Sequence, residues 1–349
     1  MSLNIFTEST LNEILSKLKL QNAYLSILAG EHELDSWEAY KLISDAGHLP
    51  EVLSVGDTLT ETWTDLSASP AAVYTVSFEV MDFGDAEDEN GNVYHNKAFL
   101  RWKKATPYTL PLDEKERVLV DLETETTAQA NTYYIGYNTT NELLELETGD
   151  PLPTTYSKLY KNAYPSTGIV SVGYNRWKCS AYRKWLNSDA AANGWWTSDH
   201  VGDAAPSQHG TKPGFLSGFS ESFRSLLRAY KVRTLLSNDG LHGENAYEDT
   251  YDKVFLPSVE QMMGIPEVSG VEGSAWQAVK NAGSLTAPTN GAVPSRAAED
   301  LITSGTNRNL RLRTPVLNNS SKVYYVNTAG AIASDNPFTA ARCTPVIIL

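Results

Sequence analysis

At Val52 the spacing of apolar residues along the chain changes. Upstream, Ser9 is followed by Leu11, Ile14, Leu15 and Leu18 at helical intervals, and Trp37, Tyr40, Leu42 and Ile43 place a second helical stripe that Gly47 and Pro50 close. Downstream, "VLSVGDTLTETW", "AVYTVSFEVMDF" and "KAFLRWKKATPY" alternate instead, with the acidic turn "GDAEDENGN" between the last two. Helices followed by a run of strands joined by turns do not wind into βαβ units. The chain reads as α+β with many loops.

The alternation continues through "RVLVDLETETTAQANTYYIGYN" and "NELLELETG", and Pro151 and Pro153 punctuate its end. Three segments are expected: helices for attachment or oligomerisation over 1–50, a β-rich part over 51–155 packed with or part of the main body, and a domain over 156–349. In the last, "NRWKCSAYRKWLNSD" opens as a helix with Trp177, Tyr182, Trp185 and Leu186 at helical spacing. "GFLSGFSESFRSLLRAYKVRTLL" predicts another helix, with Phe219, Phe223, Leu226, Leu227 and Tyr230 on one face. Such spacing assigns these aromatics to the core and not to sugar stacking. Strands are expected at "DKVFLPS", "NLRLRTP", "KVYYVNTAG" and "CTPVIIL", and a helix start at "SVEQMMG".

A formal charge of −14 with no Lys/Arg cluster argues against nucleic acid, which needs a basic surface. Cys179 and Cys343 have neither zinc nor redox spacing and read as buried free thiols, with a disulfide between them left open. No basic leader with an unbroken apolar stretch and no run of about 18 apolar residues is present, so no membrane insertion and synthesis in a host cytoplasm are expected. His95, His200, His209 and His242 stand singly in loops and read as solvated. Asp82, Asp85, Glu87, Asp88 and Glu89 lack the ligand spacing of a calcium loop and read as a hairpin tip. No catalytic residue, metal ligand or cofactor is assigned, and the chain is not expected to be an enzyme.

An ordered set of segments is more specific. "SVGDTL", "NRWKCSAYRKWLNSD" with "GWWT", "GFLSGFSESF", "DKVFLPSVEQM", "LRLRTP", "VYYVNTAGAI" and "ARCTPVIIL" resemble a family of bacterial and phage proteins over roughly residues 35 to 349. Its members share elements with the C-type-lectin-like fold of formylglycine-generating-enzyme-like proteins and of the variable proteins of diversity-generating retroelements. "LRLRTP" stands where that family has WWLRSP. The calcium and sugar motifs of animal C-type lectins and the copper-binding cysteine pair of the formylglycine-generating enzymes are missing.

The resemblance implies a C-type-lectin-like domain with loop-rich insertions. Its last strands would be fixed at Leu310, Leu312, Val323, Val326, Ile332, Val346 and Ile348, and polar side chains would be left for recognition. The expected ligand-binding residues are Asn307, Arg308, Asn309, Arg311, Asn318, Asn319, Ser320, Ser321, Lys322, Tyr324, Asn327, Asp335, Asn336 and Phe338. Tyr324 and Tyr325 are strand neighbours, so one of them is expected to face outward. The function implied is that of a phage or prophage tail-associated, virion-borne receptor-binding protein. It would bind a bacterial surface protein or glycan as a homo-oligomer, a trimer by analogy with tail fibres. The alternatives are a bacterial surface ligand-binding protein of the same fold, or an enzyme on this scaffold.

Overall fold

The computed structural model describes residues 8–29, 36–114, 117–120, 122–130, 132, 134–138, 141–144, 146–162, 175–197, 205–207, 209–236, 247–263, 270–283, 296–317 and 319–349. Two helices come first, α1 (Glu8–Ala29) and α2 (Ser36–Asp45). At 22 residues α1 outruns the stripe from Leu11 to Leu18, because no Gly or Pro interrupts the sequence before Gly30. Strands β1 (Thr58–Asp65), β2 (Ala72–Glu87) and β3 (Val93–Trp102) follow, then the short β4 (Arg117–Leu119), β5 (Tyr134–Tyr137), β6 (Asn141–Leu144) and β7 (Lys158–Asn162). Next are α3 (Ala181–Leu186), α4 (Glu221–Leu226), β8 (Tyr230–Leu235), β9 (Tyr247–Asp252), α5 (Val259–Met263) and α6 (Gln277–Asn281). The pair β10 (Ala298–Glu299) and β11 (Asn307–Arg308) precedes β12 (Leu310–Val316), β13 (Asn319–Val326), β14 (Ile332–Asp335) and β15 (Val346–Ile348). Helices and small antiparallel sheets alternate without βαβ winding, which makes the chain α+β.

The main sheet has the order β1-β2-β3-β15, so the end of the chain returns to lie beside β3, with Ile347 opposite Leu100. The early strands are therefore built into the same sheet as the C-terminus. A second sheet, β4-β7-β5-β6, closes over its own small core of Val120, Tyr134, Leu144, Leu152 and Leu159. Its strands lie on both sides of residue 155, so the boundary expected there falls inside a sheet. At the β2–β3 turn Asp88 is buried. It accepts the Asn90 and Asn92 N–H groups and the Tyr94 hydroxyl, bracing the hairpin tip from within.

Period-2 burial on β2 sends Val76, Phe78 and Val80 inward, and Trp37 from α2 meets Phe78 edge-on at 5.5 Å and Phe223 at 4.9 Å. Trp177, Trp185, Phe219, Phe223, Leu227 and Tyr230 are all buried, as expected, but only Trp185 on α3 and Phe223 on α4 are helical. The segment read as one helix from residue 214 onward divides into a turn of 3-10 helix (Phe215–Gly218), α4 and the strand β8. Ser220 is the reason for the first break, since its hydroxyl accepts the Phe223 N–H and starts a new helix. "YKVRTL" supplies the second, with Tyr230, Val232 and Thr234 alternating into the core.

The 3-10 turn lies hard against β1. Trp63 Nε1 donates to the Phe215 carbonyl at 3.0 Å, and a Cβ on Gly218 would come within 2.3 Å of that same ring nitrogen and 2.7 Å of the Thr64 carbonyl. Gly218→Ala is expected to lower stability by about 1–3 kcal/mol in urea unfolding, because backbone and a buried ring must both give way. An unchanged midpoint would mean that the turn is free to shift.

Candidate binding face

Two buried polar nodes brace this part of the chain, and both draw on the segments that carry the resemblance. Asp252, at the end of β9, accepts from Trp177 Nε1 at 2.9 Å, Thr250 Oγ1 at 2.7 Å and Arg183 Nε at 2.6 Å. Beside it, Asn187 caps α3, accepts the N–H groups of Lys253 and Val254, and donates to the carbonyls of Arg183 and Val254. Polar groups satisfied so fully form a rigid joint. "RWKCSAYRKWLN" and "DKV" are two halves of one brace.

The second node begins with a reciprocal capping box at α5, in which the Ser258 N–H donates to Gln261 Oε1 at 3.0 Å and the Gln261 N–H to Ser258 Oγ at 3.1 Å. Arg313 from β12 runs into this box. It donates to the carbonyls of Leu256 at 2.6 Å, Glu272 at 3.1 Å and Arg233 at 3.4 Å, and to Gln261 Oε1 at 2.8 Å. Thr314 Oγ1 accepts the Val259 N–H and donates to the Glu272 carboxylate. Burial pushes the Glu272 carboxyl above its ordinary range, with the Arg313 charge opposing.

Arg313 and Glu272 also line a cleft of about 460 Å³ between the main sheet, β8 and residues 270–273. Its apolar wall includes Phe99, Val232, Phe255 and Ile348. Its rim is ionic, with Lys231 3.0 Å from Glu87 and Arg233 2.8 Å from Asp249. Sequence reasoning missed these residues. The alternation in "YKVRTL" marks them, but the helical spacing just upstream obscured it.

The frame of the expected binding face is present. Leu310, Leu312, Val323, Val326, Ile332, Val346 and Ile348 are all buried, and β12-β13-β14 form one antiparallel sheet with Leu310, Val326 and Ile332 in a row across it. Of the residues expected to bind a ligand, Asn309 is exposed, while Asn307, Arg308, Asn319, Lys322, Tyr324, Asn327, Asp335, Asn336 and Phe338 are half-buried. Asn318 and the side chains of Ser320 and Ser321 lie outside the described residues.

Several of these side chains have structural work. Asn327 Oδ1 accepts the N–H groups of Ala329 and Ala331 and so shapes the β13–β14 turn. The Asn307 amide donates to the Thr328 carbonyl at 3.0 Å. Arg308 binds the buried Asp300 through Nε and Nη2 at 2.7 Å, and Arg342 joins the same carboxylate. Burial raises the Asp300 pKa, but the Ile302 N–H and the two guanidiniums outweigh it and hold the carboxyl below its usual range.

Three expectations are corrected. Arg311 is 1% exposed, with Nη2 on the Thr339 carbonyl at 2.5 Å, because β12 is covered on both faces. It cannot meet a ligand at the surface. Tyr324 and Tyr325 are both half-buried, so neither stands clear of the body, and Tyr324 packs on the main core. His209 is 1% exposed and not solvated, enclosed by the rings of Trp185 at 4.7 Å, Tyr108 at 4.9 Å and Trp195 at 6.2 Å. His200 and His242 lie outside the described residues, and His95 is exposed. Both cysteines are free thiols, Cys343 buried and Cys179 half-buried.

Residues 159–348 match the family described as Domain of unknown function (DUF6273). The chain belongs to that family. None of the curated proteins and none of the solved structures matches it. The DUF6273 segment opens in β7 and ends in β15, so both polar nodes and the β12-β13-β14 sheet lie within it. It does not close its own sheet: β15 finds its partner in β3, outside the match.

Proposed function

We propose that this DUF6273 protein is a binding protein of C-type-lectin-like build, tail-associated in a phage or prophage. It recognises a bacterial surface protein or glycan through the polar side chains of the β12-β13-β14 sheet and the turn after it. The supporting observation is the division of burial along these strands: each apolar position that was expected to be fixed lies in the core, while Asn309, Lys322 and Asn336 retain access to solvent. Side chains so placed can change without disturbing the body, the property a recognition surface needs. Asn and Tyr supply hydrogen bonds and amphipathic area at small entropic cost.

The test is binding of the fluorescently labelled chain to a panel of bacterial cells. Asn309→Ala, Lys322→Ala and Asn336→Ala combined are expected to weaken cell binding by about tenfold or more, roughly 1.4 kcal/mol, with the melting temperature unchanged. A triple variant that binds as the parent does would remove this face from recognition. The cleft beneath Lys231 and Arg233 favours a second reading, a surface protein holding a small amphipathic ligand. Its volume and its apolar wall with a few polar groups suit such a molecule. Loss of binding on Phe255→Ala, but not in the triple variant, would favour it.

A further inference from the structure

Helix α1 is apolar on two opposite faces. One is docked: Ala23 and Ser26 are buried, Leu20, Tyr24 and Ile27 pack against the core, and the Tyr24 hydroxyl donates to Glu51 at 2.9 Å. The other points to solvent. Leu11, Ile14, Leu18, Leu25 and Leu28 are between 40% and 76% exposed, and Ser9 and residues 11–19 are exposed all round, so the first turns stand off the body.

The exposed row has a period of its own. Leu11, Leu18 and Leu25 recur every seventh residue, and Ile14, Gln21 and Leu28 recur in the same way three residues later. This is the a/d pattern of a coiled-coil seam, sustained over five turns, and a lone helix exposing it gains nothing from its apolar residues. We infer that α1 is a self-association helix whose a/d seam is covered by the same seam of other copies of this chain, side by side and in register.

Two observations single out a copy of itself as the occupant. In register, each apolar layer meets its own kind, and Gln21 meets Gln21, whose amide both donates and accepts and so satisfies its neighbour inside the seam. The exposed row, with Leu15 beside it, also leaves on the order of 500 Å² of apolar side chain open per copy. Joining copies then buries about 1,000 Å² or more, the threshold of a specific interface. Binding faces on joined copies would act together on a cell surface, but the association does not depend on what they bind.

The experiment is sedimentation equilibrium of the full chain at tens of micromolar. The parent is expected to run as an oligomer and Leu18→Glu/Leu25→Glu as a monomer, with the far-ultraviolet dichroism of the body kept. Gln21→Leu is expected to tighten the association, since it replaces the polar layer by an apolar one. A monomeric parent, an oligomer that survives the double substitution, or weaker association of Gln21→Leu would each overturn the inference.

Discussion

Arg313→Met is expected to cost the fold about 3–5 kcal/mol, measured as a large fall in the urea midpoint. Met fills much of the arginine stem's volume, so the loss is chiefly polar. The carbonyls of Leu256, Glu272 and Arg233 and the Gln261 side chain lose their donor at once, at the buried floor of the cleft where the guanidinium is almost fully enclosed. The buried Glu272 carboxylate also loses the guanidinium that opposes its desolvation and is driven further toward the neutral form. Arg313→Lys is not expected to rescue the fold, because one ammonium cannot reproduce a planar fork reaching four acceptors. Thr314→Val should cost less, as it removes one hydroxyl from the same node. A Met variant within about 1 kcal/mol of the parent would show that α5 and β12 hold together without the node.

Position along the chain decided which parts of this structure could be read in advance. The strands from Leu310 to Ile348 were legible because their fixed positions are apolar and β-branched or leucine, although β12 and β15 are covered on both faces and their burial does not alternate. The helical spacing of Phe219, Phe223, Leu227 and Tyr230 misled, because residues three or four apart are all buried here by three different local structures. Arg311 was expected at the surface, and nothing local marks Arg313 as buried either. Their burial depends on partners from Arg233 to Thr339, which no local pattern displays. The two nodes explain why the resembling segments occur as a set: Trp177, Arg183 and Asn187 have no use without Asp252 and Lys253, nor the capping box at Ser258 without Arg313. The resemblance therefore speaks to scaffold more than to ligand. On the proposed reading, recognition falls to the positions that such nodes leave alone.

His209 makes the chain acid-sensitive in a window of its own. Burial among aromatic rings, helped by the nearby Lys212 charge and opposed by Asp65, brings its pKa down to about 3, and Nε2 has no hydrogen-bond partner. The unfolded chain binds a proton at this ring below about pH 6.5 and the folded chain does not, so stability is full above that pH and declines as pH falls toward 3. The slope is about 1.4 kcal/mol per pH unit, on the order of 5 kcal/mol over the whole window. Carboxylates held low in the folded state, such as Asp45, Asp249 and Asp300, lose their contribution only near the unfolded carboxylate pKa of about 4, and Glu272, held above its ordinary range, acts in the opposite direction, so a decline in the upper part of the window belongs to the imidazole. His209→Phe keeps the ring contacts with Trp185 and Tyr108 and has nothing to protonate. Its melting temperature should match the parent at neutral pH and stay level from about pH 6.5 to 5, where the parent's declines. Parallel declines in the two proteins would move the acid sensitivity to another group and return His209 to the role of an inert core ring.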